Sequence, residues 1–263
     1  MTIQHESLLP WCKFSRMRLV EMISLWQQEA LAIGPPLGSD RSPALGGLSG
    51  PAFFPEGLGL SSLPPSEGPL PAIMAIGNNF GSAEYRRDID HAGREDDKTT
   101  WRNLDALLSE AGANPAQCFR TNWFIGLLPG NRQTGSFLLQ ADPAYEEACR
   151  ALLLKEIRGL HPSTLLFLGL DVCRRAHQII PALIPWRAAK GWIDIDQSSI
   201  GHSVHDVDVP TADLRTNAVA LLHPSFVKSN ESRRMKNMPV PATQVQIVRS
   251  VLGSFGRHVC VNA

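Results

Sequence analysis

Two amides and an imidazole stand out because each directly follows an apolar stretch. Ile73-Met74-Ala75-Ile76 runs into Gly77-Asn78-Asn79-Phe80-Gly81, and Leu221-Leu222 runs into His223-Pro224-Ser225. Asn78 and Asn79 offer paired donors and acceptors, while Gly77 and Gly81 permit a tight turn with unusual backbone angles. Read by itself, the first segment is equally a plain strand-to-loop turn or a phosphate-cradling loop. It lacks the fuller glycine spacing or the following Lys of a dinucleotide fingerprint or a P-loop. His223 alone is equally a structural histidine at a strand end. Taken together, the two segments place polar residues at the carboxyl ends of two strands, where open α/β sheets bind ligands, so one shared site is expected.

The elements around them must supply such a sheet. Residues 16 to 33 carry apolar side chains at mixed three and four spacings, the pattern of an amphipathic helix. From Gly34 to Pro71 the chain is crowded with Gly, Pro and Ser, which predicts an extended wrap or linker, with Phe53 and Phe54 as candidate anchors. Beyond it, strands are expected at 72–77, 118–125, 164–169 and 217–222, with a further one near 204–209. Helices are expected at 100–112, 143–159, 171–183 and about 240–253. Asp142-Pro143 is a helix start, an N-cap followed by Pro at the first helical position. Short apolar strands separated by helices predict an α/β fold with a mainly parallel sheet covered on both faces. The chain therefore divides into an N-terminal helix plus wrap, 1–70, and an α/β domain, 71–263.

Composition narrows the classes. With 263 residues and 43% hydrophobic content, one sizeable core is the default. Lys+Arg 25 balances Asp+Glu 25, so nucleic-acid binding would need a local basic patch. Five scattered cysteines without a CxxC pair argue against a disulfide framework, a zinc ribbon or an iron-sulfur cluster, and favour a cytoplasmic setting. No bilayer-length apolar run and no secretory pattern are found, so no membrane partner is expected. The stretch Gly201-His202-Ser203-Val204-His205-Asp206-Val207-Asp208 holds metal-type side chains. Its alternation suits an edge strand and its spacing matches no metal motif, so neither a metal nor any other cofactor is expected.

The two loops, in this order, resemble the uracil-DNA glycosylase superfamily, whose members carry a Gly-x-Asn/Asp-Pro-type loop and a distant His-Pro-Ser strand end. The resemblance runs from about Ile73 to the C-terminus. It is supported by Phe119-Arg120-Thr121-Asn122-Trp123, similar to the family's central strand with its base-reading Asn, and by the segment from Thr164 to Arg175. It implies a three-layer αβα sandwich with a short, mainly parallel four-stranded sheet. It also implies that a nucleotide is flipped out of DNA into a pocket. Asn79 would orient a water toward the sugar carbon, and His223 would donate to the base carbonyl as negative charge gathers there. Gly77, Asn78, Phe80, Gly81 and Asn122 would line the base pocket. Trp101 would stack on the base, unless it is simply the first core residue of the next helix.

Two departures concern specificity. Gly81 stands where the uracil-specific branch has a Tyr that crowds the pyrimidine five-position, so a substituent there should be tolerated. Phe80 stands where Pro is common. The polar segment from Ser82 to Lys98 is either a solvated loop or a set of contacts to a decorated base. After His223, the resemblance implies a loop that enters the minor groove. Ser225 lies at its start, Phe226 or Val227 is the wedge, and Lys228, Arg233, Arg234 and Lys236 form the basic patch; a solvated basic turn is the plainer alternative.

The function implied is a monofunctional DNA glycosylase, since no Lys sits beside the motifs to attack the sugar. Its substrate would be a uracil-like or 5-modified pyrimidine, the latter including hydroxymethylated or glucosylated phage bases, so that excision serves repair or antiviral defence. The rivals are a non-catalytic reader of damaged or modified DNA and a small-molecule α/β enzyme acting on a nucleotide or sugar phosphate.

Overall fold

The structure is a computed structural model that describes residues 16–33, 52–53, 57–60, 70–82, 84, 87–88, 91, 99–126, 128 and 142–255. Five strands form one sheet: β1 (Ile73–Gly77), β2 (Cys118–Asn122), β3 (Thr164–Leu168), β4 (Ser203–Val209) and β5 (Leu214–Leu221). Their order is β2-β1-β3-β5-β4. The first four in that order are mutually parallel, and β4 pairs antiparallel with β5 at one edge. The sheet thus has one strand more than the four implied by the resemblance. The addition is the alternating stretch near 204–209, which returns through the turn Pro210–Ala212 and extends β5 back to Leu214.

Strand alternation divides the core into two layers. Met74, Ile76, Phe119, Leu165, Phe167, Ala218 and Ala220 face one side, under helices α1 (Arg16–Ile33) and α3 (Pro143–Leu160). Ile73, Ala75, Cys118, Leu166, Leu168, Val219 and Leu221 face the other, under α2 (Thr99–Ala111) and α7 (Gln244–Phe255). Near-continuous burial along β1, β2 and β3 is what a parallel sheet with helices on both faces requires.

The N-terminal helix belongs to this core. Leu19, Ile23, Trp26 and Ala30 join the first layer, and Gly159 of α3 is in close contact with the Trp26 ring. Phe53 is fully buried there, and its N–H donates to the Arg120 carbonyl at 2.8 Å while Arg120 N–H donates to the Gly59 carbonyl at 2.7 Å. These bonds occupy backbone groups on the outer edge of β2, which would otherwise be open to pairing. Phe54 lies outside the described residues.

Local chemistry sets several boundaries. Asp142 caps α3 by accepting from Ala144 and Tyr145 N–H, with Pro143 in the first turn. The helix expected over 171–183 ends early, as α4 (Leu170–Arg175), and gives way to two 3-10 turns at Ala176–Gln178 and Pro181–Trp186. Pro181 disfavours helical backbone before it, and Ile180 is extended at φ −129° and ψ 92°. Two further helices complete the fold, α5 (Trp192–Asp196) and α6 (Val227–Met235).

One buried acid stands out. Glu156 on α3 is 1% exposed, and its burial pushes the carboxyl up to about 8, offset only in part by the neighbouring Thr121 hydroxyl. The folded chain keeps this proton while the unfolded chain loses it near pH 4.5. Stability from this group is therefore present below about pH 4.5 and falls as pH rises toward 8. Glu156→Gln should raise the unfolding free energy at pH 8 by an amount on the order of a few kcal/mol and change it little at pH 4, as measured by denaturant unfolding at both pH values. Equal effects at both pH values would overturn this assignment.

Candidate functional site

Because β1 lies between β2 and β3, the chain departs to opposite sides of β1, and the crevice this creates lies at the strand carboxyl ends. A cleft of about 660 Å³ occupies that place. One wall is Gly77 to Gly81 from the end of β1, and another is His223, Ser225 and Phe226 from the end of β5. Asn122 from the end of β2 and Thr100 and Trp101 from the start of α2 complete this half. The two sequence loops, 142 residues apart when counted from Gly81 to His223, thus meet on one cleft.

The β1 loop is held by its neighbours. Trp123 N–H donates to the Gly77 carbonyl at 2.8 Å, Phe124 N–H to the Asn78 carbonyl at 2.9 Å, and Leu128 N–H to the Gly81 carbonyl at 2.7 Å. Gly81 has φ 117°, outside the range side-chain-bearing residues adopt readily. The Nδ2 of Asn79 donates to the Gly81 carbonyl at 3.0 Å, which fixes the amide and makes Oδ1 its acceptor face. That oxygen faces the Nδ2 of Asn78 at 3.4 Å. Among the described residues, Asn78 Oδ1 is buried without a hydrogen-bond partner, and so is Nδ2 of Asn122, whose residue is 4% exposed. Each such atom costs roughly 1–3 kcal/mol if left unmet, and both belong to residues that line the cleft.

The β5 loop is held from α2 and from α7. Asn103 Nδ2 donates to the Pro224 carbonyl at 2.9 Å, and the Thr100 and Ser225 hydroxyls lie 2.6 Å apart. Leu222 N–H donates to Gln244 Oε1 at 2.8 Å. His223 Nδ1 accepts from Ser225 N–H at 3.4 Å, so the neutral ring carries its proton on Nε2. Burial pulls the imidazole down to about 4, well below the ordinary 6.5, so it is neutral at physiological pH. A neutral, pre-oriented N–H donor and an amide with a fixed acceptor oxygen therefore share the cleft.

Phe80 and Trp101 are 7% and 6% exposed and belong to the core layer under α2. Trp101 is thus a core residue at the start of α2 that also lines the cleft. Phe226 is 44% exposed at the rim, beside the His223 ring at 5.8 Å between centroids. Ser225, Arg233 and Lys236 are exposed, Val227 is half-buried, and the side chain of Lys228 lies outside the described residues.

Two expectations are corrected. The segment after Phe226 is helical, forming α6, where a loop was expected. Arg234 is no part of a basic surface: it is 4% exposed, and its guanidinium forks both oxygens of Asp196 at 2.7 and 3.0 Å. The helix turns position 234 inward while 233 and 236 stay outside, a distinction that charge counting along the chain does not make.

Neither protein-family models nor curated proteins match this chain.

The opposite half of the cleft went unforeseen. Leu168, Gly169, Leu170, Asp171 and Val172 follow β3, and Trp192 and Asn230 come from α5 and α6. Gly169 has φ 98° and opens α4. The signal that would have found them is Thr164 to Gly169, a third parallel strand whose carboxyl end must share the crevice. Asp171 pairs with Arg174 at 2.9 Å. Of the metal-type side chains in and before β4, Asp206 and Asp208 face Arg215 at 2.7 and 3.5 Å, and His202 lies 3.4 Å from Asp196. Among the described residues no group of three His, Cys, Asp or Glu side chains converges, and no helix is long and apolar enough to cross a membrane. Of the segment 82–98, only positions 82, 84, 87, 88 and 91 are described.

Proposed function

We propose that the chain is a monofunctional DNA glycosylase of the uracil-DNA glycosylase type, hydrolysing the N-glycosidic bond of a flipped pyrimidine to leave an abasic site. The observation that carries this reading is the meeting of Asn79 and His223 on one cleft, with Asn122 also lining it from β2, on the other side of β1 from His223, and the carboxyl ends of parallel strands beneath. Helices on both faces of the sheet support a three-layer architecture of that type.

In this mechanism, Asn79 Oδ1 accepts a hydrogen bond from water and aims its lone pair at the anomeric carbon. An amide is too weak a base to take the proton early, so positioning supplies most of its contribution. As the C–N bond breaks, negative charge moves onto the base carbonyl, and His223 Nε2–H donates to it. The proton lost from water after attack passes to solvent or to the departing base. Asn122 reads the base edge, and the exposed Phe226 takes the flipped nucleotide's place in the stack, with Arg233 and Lys236 near phosphates.

The size of the cleft and the side-chain-free Gly81 support a base with a five-substituent. The volume exceeds what a pyrimidine alone requires, and the far wall carries Asp171, Trp192 and Asn230, groups able to meet hydroxyls. Incubation with duplex and single-stranded DNAs bearing uracil, hydroxymethyluracil, hydroxymethylcytosine or glucosylated hydroxymethylcytosine, scored as alkali-revealed abasic sites, tests this reading. Release of one base, lost in Asn79→Ala, is expected. Binding without release would make the chain a reader of modified DNA. Absence of both would favour a small-molecule enzyme, whereas salt-sensitive binding that weakens in Arg233→Ala/Lys236→Ala favours the two DNA readings.

A further inference from the structure

Arg234 is a buried charge with several partners, and one of them, the Trp192 indole, lines the cleft. Its Nε and Nη2 donate to the Asp196 carboxylate, and Nη2 also reaches the Ala220 carbonyl of β5 at 3.2 Å. Its guanidinium stacks over the indole of Trp192, 4.3 Å from the ring centroid, and Trp192 is a cleft wall. Nη1 lies 3.5 Å from Gln244 Oε1, the same oxygen that accepts from Leu222 N–H immediately before His223. Gln244 N–H in turn donates to Glu231 Oε1 of α6 at 2.7 Å.

We propose that Arg234, fixed by Asp196, is a positioning residue that locks the β5 strand end bearing His223, the Trp192 wall and helix α6 into one rigid unit, and so sets the aim of the His223 donor. This rests on the glycosylase reading for its catalytic consequence, but the lock itself is a property of the fold. A planar guanidinium is suited to the task, since it forks a carboxylate, reaches a carbonyl and stacks on an indole at once, whereas an ammonium is a point donor. Burial raises the Asp196 carboxyl, but the imidazole of His202 and the guanidinium of Arg234 outweigh it and hold it below the ordinary range, so the pair stays ionised.

Two variants separate positioning from folding. Arg234→Lys keeps the charge but loses the fork. Arg234→Met/Asp196→Leu removes both partners together, so no lone charge is left buried. On the DNA that the wild type cleaves, kcat should fall about ten- to a hundredfold in both, with KM within about threefold, as expected for a donor misplaced by a fraction of an ångström. A raised KM with unchanged kcat and a shallower salt slope would instead make Arg234 a phosphate contact and overturn the proposal.

A second readout does not need the reaction. In ¹H–¹³C spectra the His223 imidazole signal should shift in both variants, while that of His161, at the far end of α3, stays in place. If the wild type releases no base but His223 shifts, the lock stands and the glycosylase reading fails. If both variants melt cooperatively with unmoved His223 signals, the lock is overturned, whatever the reaction proves to be.

Discussion

Replacing His223 with Ala should lower kcat for base release about 10²–10³-fold while leaving DNA affinity within about threefold, since in the proposed mechanism the ring donates to charge that exists only as the bond breaks. That loss corresponds to roughly 2.7–4 kcal/mol of transition-state stabilisation. His223→Gln, which keeps a donor on a side chain of similar reach, should recover part of it. Single-turnover assays on the released base separate this from product release. If His223→Ala weakened DNA binding and left kcat intact, the imidazole would be a contact to DNA and the assignment would fail.

The same residue fixes the pH profile. Burial holds the imidazole near 4, so from pH 5 to 8 it stays neutral with its proton on Nε2, and the rate should show no inflection near 6.5. Below about pH 4 the ring takes a second proton at Nδ1, and the contact to Ser225 N–H is lost. Stability moves in the corresponding direction. The unfolded chain takes up this proton near pH 6.5 and the folded chain only near 4, so stability from this group is full above 6.5 and declines as pH falls toward 4. A His223 midpoint close to 6.5 by NMR titration would contradict the buried, neutral donor on which the mechanism depends.

Much of this site could be read from the sequence, because it is made of strand ends. A short apolar run that stops at Gly-Asn-Asn or His-Pro-Ser states both the strand and its terminus, and parallel pairing puts such termini on one edge. The start of α3 was equally legible, since Asp142-Pro143 satisfies orphan N–H groups by local chemistry. What escaped depends on contacts distant in sequence. Helix α6 has no apolar stripe to betray it, and Arg234 turns inward because Asp196, Trp192 and the end of β5 are there to receive it. The far wall, with Trp192 and Asn230, comes from short elements whose place is set by packing. Strand β4 was visible as an alternating run, but its antiparallel pairing and its bulge between Val204 and Val207 are properties of the sheet.

Gly77→Ala should lower base release about 10²-fold or more with the fold retained, and it is the smallest change that tests how the ends of β1 and β2 cooperate. Gly77 is the last residue of β1 and pairs with Asn122, the last of β2. A Cβ at 77 would overlap Asn122 Oδ1, with the Thr121 carbonyl also within 3.8 Å. The Gly77 backbone is not in the left-handed region, so the requirement for glycine comes from the neighbouring amide alone. Asn122 is 4% exposed and cannot swing into solvent, so the strain goes into the amide proposed to read the base. Overpacking of this kind costs about 1–3 kcal/mol in stability, whereas a displacement near 1 Å at the reading group costs about 10²-fold or more in rate. Gly191→Ala is the control, since a Cβ there meets nothing within 4 Å and its backbone is extended. Adding Asn122→Gly to Gly77→Ala should restore the melting temperature but not base release, because the clash is relieved and the reader removed. Release by Gly77→Ala at the wild-type rate would mean that Asn122 does not read the base, and the pocket would have to be assigned around Asn78 instead.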